Sequence, residues 1–173
     1  MRKKILYAIT PLFLLACNFL FPLAQQDENP LQPQPEPASD QSTSSFTIVR
    51  IHKQDGDLLT QLTAQAQKAK ELNQNPFIEF DATWCPPCIA IDNSIKAEDP
   101  LTIKAYEGIY LIRADVDEWG WGDGKTFNFE AIPIYYKLNG DGTPTGAVID
   151  GSAWNEDIPE NFAPVLNKFF HTQ

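Results

Sequence analysis

An α/β domain with a central mixed sheet of four to five strands and helices on both faces is the fold class the sequence predicts. Three observations predict it. Apolar runs of strand length alternate with stretches of helical period in the order β-α-β-α-β, then β-β-α. The strand–helix–strand opening implies a parallel pair, because parallel strands need a crossover between them. Two β-rich runs around "NGDG" imply a hairpin, and so antiparallel strands beside the parallel ones.

"FTIVRI" (46–51) is β-branched and reads as the first strand. "DLLTQLTAQAQKAKELNQ" (57–74) sets Leu58, Leu59, Leu62, Ala66, Ala69 and Leu72 at helical spacing, with Asp57 as N-cap. "PFIEF" (76–80) is a short apolar run, read as a buried strand. The stretch from "CIAIDNSIKA" to "LTIKAYEG" reads as helix, broken near "EDP" (98–100), and "IYLIRADV" (109–116) as another strand. "IPIYYKL" (132–138) and "PTGAVIDG" (144–151) form the hairpin. "PENFAPVLNKFF" (159–170) closes the domain as an amphipathic helix, with Phe162, Val165, Leu166 and Phe169 on one side. Pro164 is tolerable only in the first turn of that helix.

The chain of 173 residues supports one ordinary domain, residues 46–173, preceded by two segments of another character. "MRKK" followed by "ILYAITPLFLLA" has the basic and apolar regions of a signal peptide, residues 1–16. It runs into Leu14-Leu15-Ala16-Cys17, which resembles the bacterial lipobox, in which the cysteine is acylated and becomes the first residue. An ordinary signal peptide and an uncleaved anchor are the alternatives, since Ile5 to Ala24 is long enough to span a bilayer. Each reading puts the domain outside the cytoplasm, in the cell envelope, with the basic end inside. Residues 17–45 carry the lipid-attachment cysteine and a Pro-, Gln- and Ser-rich stretch that cannot bury enough apolar surface to order itself, so they read as a disordered tether.

Net charge is −10, and no basic stripe is visible, which excludes a nucleic-acid binder. Loss of residues 1–16 removes three basic residues and no acids, leaving ten basic against 23 acidic residues, a net −13. Such a domain is held off anionic headgroups, so attachment falls to the lipid or the anchor.

If Cys17 carries lipid, Cys85 and Cys88 are the remaining thiols, and they pair with each other or with a partner. Residues i and i+3 of a helix share a face, close enough for a disulfide. With Cys85 at a helix start, orphan N–H groups and the positive dipole end stabilise its thiolate. Cys88, one turn inside, is more shielded and suited to resolving a mixed disulfide. Pro86 and Pro87 fit a first helical turn, although a residue before proline resists helix, which predicts a helix starting one residue late. Neither proline can donate to the sulfur, which leaves the Cys88 N–H. A zinc site wants four ligands, and the only histidines are His52 and His171. A purely structural disulfide stays open as an alternative, though a short loop gains least from cross-linking.

"FDATWCPPC" resembles the active-site segment of the thioredoxin family, and "AIPIYY" its Ile-Pro before a central strand. The likeness covers about residues 46–171. It implies a thioredoxin-like fold and a thiol–disulfide oxidoreductase with no cofactor, the electrons resting in the dithiol. By position, Cys85 would attack, Cys88 resolve, and Trp84 wall the site. Pro133 would be the cis-proline facing the disulfide, with Ile132 offering backbone to an extended substrate. Glu79 stands where the family buries a proton-shuttling aspartate; its alternatives are a solvent-facing side chain or a pair with Lys137. Asp81 is the competing acid, two residues on and on the same sheet face.

Pro-Pro between the cysteines departs from the family's usual dipeptides and leaves direction open. Ile132 resembles the reducing members, so a reductant is expected, fed by an upstream thiol donor such as a membrane reductase. Its substrates would be protein disulfides or dithiols, and the chain a monomer. The loop "DEWGWGDGKTFNFE" (117–130) is the second departure. Trp119 and Trp121 there read as loop packing or as part of a partner groove. Its acids, with Asp115, show no EF-hand spacing and read as a solvated loop. A thioredoxin-fold binding or chaperone module is the rival function. A peroxidase of the same fold is weaker, since Thr83 alone does not supply its catalytic set.

Overall fold

The structure, a computed structural model, describes residues 45–122 and 124–172. The expected signal peptide, the lipid-bearing Cys17 and the tether up to residue 44 lie outside the described residues, as does Asp123.

The elements run β1 (Thr47–Ile51), α1 (Leu58–Glu71), β2 (Asn75–Asp81), α2 (Pro86–Lys96), α3 (Pro100–Tyr106), β3 (Ile109–Asp115), α4 (Val116–Trp119), β4 (Ile134–Leu138), β5 (Pro144–Asp150) and α5 (Pro159–His171). One five-stranded sheet has the order β1-β3-β2-β4-β5. β3 runs parallel to β1 and to β2, while β4 runs antiparallel to β2 and to β5. The sheet is therefore mixed, as the βαβ opening and the hairpin require.

Alternation along the strands feeds two cores. Ile78 and Phe80 of β2, with Tyr110, Ile112 and Ala114 of β3, pack against Leu62 and Ala69 of α1. Phe77, Ile109 and Leu111 face the other way, onto Tyr106 of α3 and Phe162, Leu166 and Phe170 of α5. Both faces of β2 and β3 are covered, which is why these strands read as unbroken apolar runs.

Local chemistry explains the boundaries. Asp57 caps α1 by accepting from the Thr60 N–H at 2.9 Å. The break at "EDP" has two causes. Glu98 adopts a positive φ of 54°, and Asp99 starts a new helix by accepting from the Thr102 N–H at 2.9 Å, with Pro100 in first position.

Two expectations need correction. Leu59 of α1 and Leu72, which caps its C-terminus, are exposed, because the buried stripe is narrower than the leucine spacing implies: Leu62, Ala66 and Ala69. Pro164 sits inside α5, beyond its first turn. It is tolerated because it faces solvent, as does Glu160, whose carbonyl loses its intrahelical donor and can take a water instead. The fully buried ring near the helix end is Phe170, with Phe169 only partly covered.

The β4–β5 turn is pinned to α1. Thr63 Oγ1 donates to the Asp141 carbonyl at 2.9 Å. Gly142 has φ 86°, and a Cβ there would lie 2.6 Å from the Leu62 carbonyl carbon. Only glycine meets both demands.

Candidate active site

Parallel β2 delivers the chain to the carboxyl end of the sheet, where Ala82, Thr83 and Trp84 turn it into α2. The turn closes with the Cys85 N–H donating to the Ala82 carbonyl at 3.2 Å. α2 begins at Pro86, with no delay, and Cys85 is its N-cap in extended geometry (φ −79°, ψ 113°). An extended cap residue is what a following proline demands, so cap and proline reinforce each other.

Cys85 and Cys88 form a disulfide with Cα atoms 5.3 Å apart. The Cys88 N–H donates to Cys85 Sγ at 3.3 Å, the one amide available once two prolines follow the cap. Cys85 Sγ also lies 3.7 Å from the Ile132 carbonyl oxygen, and the Ile132–Pro133 bond is cis. The dithiol and the Ile-Pro pair, 44 residues apart from Cys88 to Ile132, therefore meet at one end of the sheet. Cys85 is only 2% exposed, whereas the adjacent Trp84 is 53% exposed and donates through Nε1 to Asp117 Oδ2 at 2.9 Å.

Glu79 is buried beneath the site, and neither expected alternative holds. It faces neither solvent nor Lys137, whose Nζ donates to the Thr172 carbonyl. Its partners are Arg113, donating through Nε to Oε2 at 2.6 Å, and Tyr135, whose hydroxyl donates to Oε1 at 2.8 Å. The sheet register makes this pairing: Arg50, Arg113, Glu79 and Tyr135 stand side by side on β1, β3, β2 and β4. Two facing arginines would repel. Asp81 offsets that by taking both Arg50 nitrogens at 2.8 and 2.6 Å, and Asp92 of α2 takes Arg113 Nη1.

Burial pushes the Glu79 carboxyl above its ordinary value, and the Arg113 charge pulls down without overcoming it. Burial also opposes the Arg113 charge, but Glu79 and the neighbouring acids outweigh it and hold that guanidinium protonated. The Tyr135 hydroxyl is raised by burial and then by Glu79. Sequence reasoning missed Arg113, although parallel pairing of "PFIEF" with "IYLIRADV" places it opposite Glu79.

A hollow of about 230 Å³ opens beside α2, lined by Arg50, Asp81, Cys88, Asp92 and Lys96 among others. Glu79 does not line it. Asp81 and Asp92 are thus the acids that share a solvent-reaching space with Cys88.

The end of α4 and the loop after it treat their tryptophans differently. Trp119 Nε1 donates to the Ile51 carbonyl at 3.2 Å and packs on the core, while Trp121 is half exposed. Among the described residues, no cluster of His, Cys, Asp and Glu could hold a metal ion, and no helix is long and apolar enough to cross a membrane.

A sheet that sets two cysteines at a helix start, opposite a cis-proline, defines a dithiol site able to hold two electrons. Comparison with known proteins says which such sites it resembles. No family model matches the chain. It is 37% identical over 88 residues to thioredoxin H4 of Arabidopsis thaliana, covering 51% of this chain and 66% of that protein. It is 31% identical over 102 residues to an H-type thioredoxin of Oryza sativa subsp. indica, covering 59% and 75%. Among solved structures, a poplar thioredoxin h matches with TM-score 0.43 and 18% identity, over 75% of this chain and 99% of that one. The chain belongs to the thioredoxin family.

Proposed function

We propose that this protein is a thiol–disulfide oxidoreductase, tethered to a membrane, that reduces protein disulfides outside the cytoplasm through Cys85 and Cys88. The observation that carries the chemistry is the Cys85–Cys88 disulfide at the start of α2, with the Cys88 N–H on Cys85 Sγ. A helix start stabilises the thiolate, the reacting form in exchange.

In the cycle, the Cys85 thiolate attacks one sulfur of a substrate disulfide. A Cys85–substrate bond forms, the substrate S–S bond breaks, and one substrate thiolate leaves to take a proton. Cys88 then loses its proton and attacks Cys85 Sγ. The Cys85–Cys88 bond forms as the second substrate thiolate departs, so two electrons have passed from dithiol to substrate. A donor dithiol, such as that of a membrane reductase, resets the pair. Trp84 and the Ile132–Pro133 backbone border the attacking sulfur.

For the Cys88 proton this reading favours Asp81, which with Asp92 lines the hollow that reaches Cys88 and would accept the proton in exchange for one Arg50 hydrogen bond. Glu79 does not line that hollow, and its oxygens bind Arg113 and Tyr135, so this reading gives it the role of holding Arg113 in place. The basic and apolar start of the chain, ending at Cys17, supports export and lipid attachment. The Pro-rich stretch after it supports a tether. Ile132 before the cis-proline supports the reducing direction by family resemblance.

The test is a Cys88→Ala trap in cells, resolved on non-reducing gels. Mixed disulfides with envelope proteins are expected, and finding none overturns the exchange cycle. A structural disulfide is the second reading, favoured by the near-complete burial of Cys85. Titration against a dithiothreitol redox buffer separates the two, since a pair more resistant to reduction than thioredoxin's, about −270 mV, is structural.

A further inference from the structure

We propose that Trp121 determines substrate specificity: with Trp84 it forms a rigid aromatic shelf that accepts a large apolar side chain next to the substrate's disulfide-bonded cysteine. The inference rests on the exchange reading above and names the class of polypeptide that the site prefers.

Two exposed tryptophans, 37 positions apart, lie with ring centroids 6.4 Å apart. The pair reaches the reactive disulfide through Trp84, whose ring Trp121 accompanies. Trp84 immediately precedes Cys85 and is fixed by its hydrogen bond to Asp117. Trp121 is backed by Phe129 at 6.1 Å, and Phe129 rests on the buried Phe80 at 4.6 Å. A continuous aromatic chain thus joins the shelf to the core.

The backbone under Trp121 is equally determined. Gly122 bridges to Asn128 and has φ 90°, and a Cβ there would run into the Phe127 carbonyl. The turn that presents Trp121 therefore admits no side chain at the next position. Rings held this way lose little freedom when covered, so apolar contact on them converts to binding with a small entropy cost.

The occupant follows from what adjoins the shelf. Cys85 is almost wholly buried, follows the exposed Trp84 in the chain and lies against the Ile132 carbonyl. A disulfide can reach it only if the chain that bears it lies down here. A residue flanking the substrate cysteine then falls over Trp84 and Trp121. Phe129 also lines a hollow of about 600 Å³ of mixed character, with Ile134 and Val148 beside Glu130 and Asp150. An extended polypeptide with an aromatic or large aliphatic residue beside its cysteine matches this surface, and one with an acidic residue does not.

The experiment uses the pre-reduced full chain and two synthetic peptides with one internal disulfide each, identical except for Phe or Asp beside the attacked cysteine. Single-turnover oxidation is followed for wild type, Trp121→Ala and Trp121→Phe. Wild type should react about tenfold faster with the Phe peptide, Trp121→Ala should bring that ratio to about one, and Trp121→Phe should restore most of it. A ratio unchanged in Trp121→Ala, or rates that fall equally for both peptides, overturns the proposal. Bis(2-hydroxyethyl) disulfide, a linear disulfide too small to use the shelf, tests the exchange reading by itself. If it reacts with wild type while the peptide ratio is near one, only the shelf fails; if it does not react, both fail.

Discussion

Arg113 Nε donates to Glu79 Oε2 at 2.6 Å, and both side chains are buried between two strands of the same sheet. Neither charge could stand there alone. Glu79→Gln should therefore cost about 3–5 kcal/mol, because it leaves a buried guanidinium short of its counter-charge. The pH dependence has a definite sign. The folded state holds the Glu79 proton more tightly than the unfolded chain, where the ordinary value is 4.5. The contribution of this group to stability is thus full below that value and declines as pH rises through the folded one. Denaturant titrations between pH 4 and 8 should show this decline in wild type and its loss in Glu79→Gln. Tyr135→Phe removes a hydrogen bond that lowers the Glu79 value, so it should carry the decline to higher pH.

Pro87→Ala adds an amide at the second position of α2, within reach of a capping side chain. The reduced Cys85 thiolate would then receive two N–H donors in place of one. The alkylation-rate profile of the reduced protein should move toward acid, and the disulfide should become easier to reduce. An unmoved profile would mean that the second amide does not reach the sulfur.

Asp81→Asn and Glu79→Gln should affect different measurements. With a thionitrobenzoate disulfide installed on Cys85, attack by Cys88 releases a coloured thiolate. Asp81→Asn should slow that release about tenfold near neutrality and flatten its pH dependence. Glu79→Gln should act chiefly on stability. The reverse pattern would return the proton to Glu79.

Gly142→Ala should destabilise the fold by about 1–3 kcal/mol or more, since it adds backbone strain to a collision with α1. Gly140→Ala, one turn residue away with open space around it, should be nearly neutral. Thermal midpoints of the two variants decide it.

Much of this was legible in the sequence. Alternation and turn residues located β1 to β5, Asp57 marked a helix start and "EDP" a helix break, because these signals are local. The Cys-Pro-Pro-Cys segment announced its own cap geometry for the same reason. What escaped was set by register. Arg113 is 34 residues from Glu79 and meets it only once β2 and β3 pair. Trp119 and Trp121 look alike as letters, yet one bonds the Ile51 carbonyl and the other lies on Trp84. Pro164 was misjudged because its tolerance depends on which side of α5 meets water.

An ordinary helix start leaves loose amides that attract whatever anion drifts past. Here the cap amide is tied to Ala82, two positions have no amide hydrogen, and the fourth rests on sulfur. The helix start thus offers phosphate and carboxylate metabolites no free amide, so they should not compete for the sulfur there. The doorway is tuned to divalent sulfur by subtraction.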